Sequence, residues 1–157
     1  MFTVINLFDK KFILILLLLF SALSANSEEF VLKNIGKLVR NEVINFPDGS
    51  KFISFKHEGG FETDIGKYGK YRCKGSILYN KASTLENMFF ACESKDQNGD
   101  TFIGMGKRKK GSDMDRAVGQ TNIISGEGFW KKYIGFTCTY SVVYVDDVVL
   151  SPVKCKK

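Results

Sequence analysis

The sequence predicts an all-β domain, an antiparallel meander closed or nearly closed into a barrel of about eight strands. Val, Ile, Phe, Tyr and Thr cluster in short runs, as they do in strands. Turn signals such as Asn98-Gly99 and Asp146-Asp147 separate these runs, and no helical period extends beyond a few residues. Closure would remove the exposed sheet edges that so strand-rich a small chain would otherwise have.

The apolar runs give the approximate positions of the strands, some of which are expected to merge. We take Glu58-Gly59-Gly60 as one of the turns between strands, and we expect residues 109–120, which are polar and of mixed charge, to form a mobile surface loop. The strands are expected near 30–35, 38–46, 51–57, 61–67, 70–79, 86–94, 101–108, 122–134, 137–145 and 148–155.

The N-terminus has the order of a secretory signal peptide. A charged segment ending in Lys10-Lys11 precedes an apolar run over residues 12–20, and small residues follow as far as Ala25. This run is shorter than the roughly 20 residues that a membrane-spanning helix needs. We therefore expect a signal helix over 1–25, cleaved after Ala25 or alternatively after Ser24, and a single domain over 26–157. The processed protein should be exported, periplasmic or extracellular, with no integral membrane segment.

Composition narrows the class of protein further. Hydrophobic residues make up 44% of the chain and aromatic residues 13%, which is ample for a packed core and excludes a disordered chain. The net charge of +6 and the basic run over residues 107–110 could attract nucleic acid, anionic lipid or an acidic partner. Because Asp113 and Asp115 follow closely and no aromatic-flanked RNA motif is present, we interpret this run as a solvated loop and expect no nucleic-acid partner.

The four cysteines fall on two predicted hairpins, and the hairpin registers choose their pairing. If Tyr79 faces Glu86 across the turn at 81–85, Cys73 faces Cys92. If Asp146-Asp147 is a two-residue loop, Cys138 faces Cys155 at a non-hydrogen-bonded pair, where side chains come close enough for a disulfide. Pro152 would face Ser141 at a hydrogen-bonded pair without an N–H to donate, so the last strand is expected to be imperfect or an edge strand there.

The sequence offers little support for a metal site or a catalytic triad. The cysteines lack C-x-x-C spacing, and Asp96-Gln97-Asn98-Gly99-Asp100 lacks the glycine and glutamate that an EF-hand requires downstream. We interpret this segment as a tight hairpin turn. His57, which is the only histidine, has no G-x-S-x-G partner motif and is interpreted as a solvated residue at a strand end.

Two glycine pairs mark a possible binding strip. A register that sets Gly104 against Gly128 and Gly106 against Gly126 would expose bare backbone, on which a flat ligand could lie or a ring such as Trp130 could pack. We favour packing. Glu127 would point to the opposite face and is the most plausible acid or base in the chain.

We expect the domain to be a non-catalytic binding module for a small apolar or amphipathic ligand, with no cofactor and no metal. If the cysteine-bearing face is interior, its rings would line a cavity, and a pocket of a few hundred cubic ångströms would favour a binding module or an enzyme over an interaction module. The alternatives are a cyclase or isomerase on the same barrel, or a protein-interaction module using the basic outer surface; the oligomeric state stays open. The candidate ligand-binding residues are Tyr79, Phe90, Glu127, Trp130, Tyr140 and Tyr144.

Residues 71–156 also carry landmarks that resemble a group of small exported bacterial proteins with allene-oxide-cyclase-like or lipocalin-like barrels. The landmarks are the two cysteine hairpins, the turn at 96–100, Gly104 with Gly106, and the segment 126–130. The resemblance implies an eight-stranded barrel. It carries no active-site residue over to this chain, because a shared fold does not transfer chemistry.

Overall fold

A computed structural model describes residues 28–108, 110 and 116–157, and this part of the chain forms a closed antiparallel barrel of eight strands. Each strand pairs with the next along the chain, and the last returns to the first, so the predicted meander and its closure are confirmed. The predicted signal helix over 1–25 lies outside the described residues. The strands are β1 (Glu29–Asn45), β2 (Lys51–Thr63), β3 (Tyr68–Tyr79), β4 (Leu85–Asp96), β5 (Thr101–Arg108), β6 (Arg116–Gly126), β7 (Thr137–Val145) and β8 (Val148–Lys156).

Two of these strands are longer than predicted. The segments expected at 30–35 and 38–46 merge into β1, and those at 51–57 and 61–67 merge into β2. The turn expected at Glu58-Gly59-Gly60 is therefore wrong. A Cβ atom on Gly59 would collide with backbone atoms of Ile35 and Gly36 on β1, so glycine serves here to let two long strands approach closely.

Two predictions around β6 are also corrected. The surface loop expected over 109–120 is too long, because β6 already begins at Arg116, while residues 109 and 111–115 lie outside the described part. The strand expected over 122–134 ends at Gly126, and Gly128–Tyr133 form a 3₁₀ helix. The bulky rings of this segment bury themselves at one end of the barrel, and this packing overrides the strand propensity that the sequence suggested.

Both disulfides form as predicted, Cys73 with Cys92 and Cys138 with Cys155. The β3–β4 register matches the prediction except at the end of the hairpin, where a bulge places Tyr79 opposite Leu85 instead of Glu86. The β7–β8 register holds along the whole hairpin. All four cysteines lie on the interior face of the barrel.

Pro152 disturbs the barrel where the sequence predicted it. The β7–β8 ladder is interrupted between the pairs Tyr140 with Val153 and Val143 with Leu150, so the imperfect strand is confirmed. The edge-strand alternative is wrong, because β8 also pairs with β1, where Pro152 faces Lys33.

Aromatic rings fill the interior by lying over glycines of neighbouring strands. A Cβ atom on Gly106 would lie 2.6 Å from Phe90 Cζ, and one on Gly75 would lie 2.7 Å from Phe55 Cζ. Gly119 lies in the same way under the ring of Tyr140. The interior of an eight-stranded barrel holds little more than side chains or one small ligand, so each of these rings can lie where it does only because the glycine beneath it has no side chain.

The predicted pairing of the two glycine segments is wrong, although Trp130, which was expected to pack there, does contact Gly126 through its backbone and Cβ atoms. Gly104 faces Ile123 across a bulge, and Gly126 faces Phe102. A Cβ atom on Gly126 would lie 2.7 Å from the carbonyl oxygen of Trp130, so this glycine makes room for the 3₁₀ helix.

The 3₁₀ helix closes one end of the barrel with an aromatic cluster. Trp130 and Phe136 are completely buried, and their rings lie 5.9 and 6.2 Å from that of Phe30. The indole Nε1 of Trp130 donates a 3.2 Å hydrogen bond to Asp96 Oδ2. Lys67 Nζ lies 3.1 Å from the same oxygen and forms a largely buried ion pair with it. These contacts hold the 3₁₀ helix and its aromatic cluster, which we call the plug, against the β4–β5 turn.

Asp96 begins the tight turn that the sequence predicted at 96–100. Its Oδ1 accepts hydrogen bonds of 2.9 and 3.0 Å from the backbone N–H groups of Asn98 and Asp100, and Gly99 adopts a φ of +94°. Burial raises the pKa of the Asp96 carboxyl, but Lys67 and these two N–H donors outweigh it and hold the pKa below its usual value.

Replacing Asp96 should therefore weaken the plug. We expect Asp96→Asn to lower the free energy of unfolding by about 3 kcal/mol, because it leaves the Lys67 ammonium buried without its counter-charge. Because the Asp96 pKa is depressed, its contribution is complete above the unfolded-state value near 3.8 and decreases as the pH falls below it. Urea unfolding between pH 3 and 7 measures both effects. Glu62→Gln, which breaks an exposed ion pair with Lys33, is the control and should cost less than about 1 kcal/mol.

Gly104 and Gly106 provide a second test, since they lie two residues apart on the same interior face. We expect Gly106→Ala to destabilise the fold by about 2 kcal/mol or more, because the new methyl group meets the Phe90 ring and the Gln120 carbonyl, each at 2.6 Å. Gly104→Ala should change stability by less than about 1 kcal/mol, since its nearest obstacle is Thr121 Oγ1 at 3.1 Å, which can rotate away. Equal thermal unfolding midpoints for the two variants would contradict the ring-over-glycine packing.

Candidate functional site

The interior of the barrel contains a cavity of about 110 Å³ that is partly open to solvent. All eight strands contribute to its lining, which is mainly apolar. The volume is below the few hundred cubic ångströms expected of a barrel that is a binding module or an enzyme, so the cavity suits only a small guest. Its aromatic lining residues are Phe30, Phe55, Tyr71, Phe90, Phe102, Tyr140 and Tyr144.

Arg108 places a positive charge in this apolar lining. It is the last residue of β5 and is only 5% exposed. Its guanidinium carbon lies 6.0 Å from the centroid of the Tyr144 ring. Burial raises the pKa of the Tyr144 hydroxyl, and the positive charge of the guanidinium opposes that rise.

Two tyrosine hydroxyls in the lining are buried without a regular hydrogen-bond partner among the described residues, those of Tyr71 and Tyr140. Each of these residues is 6% exposed, and burial raises the pKa of each to about 12. Arg108 lies near enough to the Tyr140 hydroxyl to oppose its pKa rise, but without a hydrogen bond of regular geometry. Both hydroxyls can therefore donate to a guest.

His57 also lies in the cavity lining, so its interpretation as a solvated residue was wrong. It is 7% exposed, and its ring lies 4.8 Å from that of Phe55 and 5.6 Å from that of Tyr144. Burial, assisted by the positive charge of Arg108, lowers its pKa from 6.5 to about 4. The imidazole is therefore neutral at physiological pH. Its charged neighbours Lys56 and Glu58 pair with each other on the opposite face of the strand.

The basic run at 107–110 is likewise not a uniformly solvated loop. Lys107 and Arg108 belong to β5, where alternation turns Lys107 outward and Arg108 into the barrel. Lys110 is exposed, and residue 109 lies outside the described part. Gly104 and Gly106 lie on the interior face, and the two-residue period of the strand places Arg108 on the same face. Sequence reasoning could have found Arg108 only by assigning these glycines to the interior.

Three of the six predicted ligand-binding residues reach the cavity, namely Phe90, Tyr140 and Tyr144. Tyr79 and Trp130 are buried elsewhere in the core. Glu127 is exposed at the start of the 3₁₀ helix, where it accepts a 3.3 Å hydrogen bond from Thr101 Oγ1. The sequence-based set omitted three polar residues of the lining, Tyr71, His57 and Arg108.

Among residues 28–108, 110 and 116–157, no three His, Cys, Asp or Glu side chains group closely enough to hold a metal ion. No helix in these ranges has the length and apolar character required to cross a bilayer.

The comparisons with known proteins give the fold class and no family. No protein-family model matches the chain, and no curated protein does. Among solved structures, the barrel is similar to the crystal structure of the conserved protein of unknown function RPA1785 from Rhodopseudomonas palustris. The TM-score is 0.62 at 10% sequence identity, over 85% of this chain and all of the other. At that identity the similarity shows a common barrel fold alone.

The position of His57 has a measurable consequence for stability. Since its folded-state pKa is about 4 against 6.5 when unfolded, only the unfolded chain takes up this proton between those values. Stability should therefore fall by up to about 3 kcal/mol as the pH drops from 6.5 to 4. An NMR titration of the ring Cε1–H signal gives the pKa directly. A value near 6.5 would contradict the buried position, and His57→Gln should flatten the pH dependence in this range.

Proposed function

We propose that this protein is an exported, single-domain barrel that binds a small amphipathic molecule in its interior cavity. The observation that carries the proposal is the pair of buried tyrosine hydroxyls, those of Tyr71 and Tyr140, left without a regular partner inside a mainly apolar cavity. Buried polar groups are nearly always hydrogen-bonded, so two unpartnered hydroxyls in one cavity call for an explanation, which a bound ligand would supply. No catalytic step is part of the proposal.

The size of the cavity limits the guest. Engineered apolar cavities of about 150 Å³ accept benzene, so a volume of 110 Å³ with a partly open wall suits a body of about six carbons. The rings of Phe55 and Phe90 offer an apolar wall for such a body. The hydroxyls and Arg108 would orient its polar end.

Export is supported by the cysteines and by the order of residues at the N-terminus. Both disulfides are closed, and no free cysteine remains in the described part of the chain. Stable disulfides form in oxidising compartments. The charged, apolar and small-residue segments over 1–25 have the order of a cleavable signal peptide.

Filling the cavity should abolish binding. We expect the disulfide-bonded protein to bind benzoate or benzamide, measured by calorimetry, and we expect Val142→Phe to weaken that binding at least about tenfold, because the new ring occupies the guest's space. Thr139→Phe, which adds the same ring to the exposed face of the same strand, should leave binding unchanged.

Circular dichroism would verify that both variants keep their strand content. Failure of the wild-type protein to bind either compound would contradict the proposed function. Unchanged affinity in a folded Val142→Phe variant would show that the guest lies elsewhere.

A further inference from the structure

We propose that the guest is a compact monocarboxylate, whose carboxylate lies among Arg108, Tyr71 and Tyr140 and whose apolar body lies against the phenylalanine rings. This inference rests on the proposed function and adds the chemical class of the ligand. It stands on the charge of the lining and on the kind of hydrogen-bonding group that the lining presents.

The charge of the lining favours an anion. Arg108 is the one formally charged side chain among the described lining residues, and it is 5% exposed. In such surroundings the interaction between a guanidinium and an anion is much stronger than in water. His57 also faces Arg108, but its low pKa keeps it neutral, so it does not add a second charge that would call for a dianion.

The hydrogen-bonding groups of the lining also favour an anionic guest. Neutral tyrosine hydroxyls are donors, and the Tyr71 and Tyr140 hydroxyls have no regular acceptor among the described residues. A guanidinium has five N–H donors, so Arg108 can serve a guest in addition to its contacts within the protein. A carboxylate only accepts, with about four lone-pair sites on two oxygens. The carboxylate oxygens can therefore accept hydrogen bonds from the two tyrosine hydroxyls and from the planar guanidinium group of Arg108.

A neutral guest of the same shape would fit this lining less well. Benzamide has the ring and the planar outline of benzoate, but it replaces one acceptor oxygen with an NH₂ donor. That donor would face the guanidinium and the hydroxyls. Comparing the affinities for benzoate and benzamide therefore separates the effect of the guest's charge and second acceptor oxygen from the effects of its size and apolar surface.

The test is calorimetric titration of the disulfide-bonded protein at pH 7 with benzoate and with benzamide. We expect benzoate to bind at least about tenfold more tightly. Benzamide binding equally or more tightly would overturn this inference and leave the proposed function standing. Binding of neither compound would overturn both.

Variants that remove one hydroxyl each refine the test. Tyr71→Phe and Tyr140→Phe should each weaken benzoate binding about tenfold and leave benzamide binding within about twofold. Tyr68→Phe, which removes an exposed hydroxyl at the start of β3, is the matched control and should change neither affinity. Arg108→Met should abolish the preference for benzoate. Should that variant not fold, the wild-type ratio and the two tyrosine variants decide the question.

The stability of the tyrosine variants distinguishes a ligand role from a structural one. Removing a hydroxyl that has no partner should leave the unfolding midpoint of the ligand-free protein unchanged or raise it. A lowered midpoint in Tyr71→Phe and Tyr140→Phe, together with unchanged benzoate affinity, would show that bound water or the protein already satisfies these hydroxyls and would overturn the inference.

Discussion

The packing of a ring over a glycine of the adjacent strand is the constraint on which the rest of the barrel depends. Eight strands enclose space for side chains or for one small ligand, and this chain turns several large rings into that space. Gly75, Gly106 and Gly119 each release the space of one side chain under a ring. The rings can then lie along the wall instead of meeting at the axis, and a small volume stays open between them.

The two disulfides and the plug lie around this cavity and stabilise the barrel that contains it. Each disulfide links adjacent strands on the interior face and closes a loop of 19 or 17 residues, which is worth roughly 3 kcal/mol in the chain-entropy account. The Lys67–Asp96–Trp130 contacts close one end. An imperfectly filled core loses contact energy along its lining. The disulfides and the plug offset that loss of contact energy, so the barrel can contain a cavity and still be stable.

Much of the fold could be predicted from the sequence, because strand alternation and hairpin arithmetic are local. Both disulfides followed from the turns between their strands. The register between β5 and β6 could not be predicted in this way. A bulge at Ile103 shifts it, and the aromatic residues after Gly128 are buried in a 3₁₀ helix instead of continuing the strand. Within the site, inward rings were predictable from the cysteine-bearing face, whereas His57 and Arg108 were hidden by charged neighbours that alternation turns outward.

The polar side chains that line the cavity lower the stability of the folded protein, so their presence indicates a functional role for the cavity. A buried hydroxyl without a partner costs about 1 to 3 kcal/mol, and phenylalanine would fill nearly the same space at Tyr71 and Tyr140 without that cost. A buried guanidinium is costlier still than an apolar side chain at Arg108. Packing alone would favour apolar residues at all three positions. The proposed guest would accept hydrogen bonds from all three side chains, and its binding would stabilise the folded barrel.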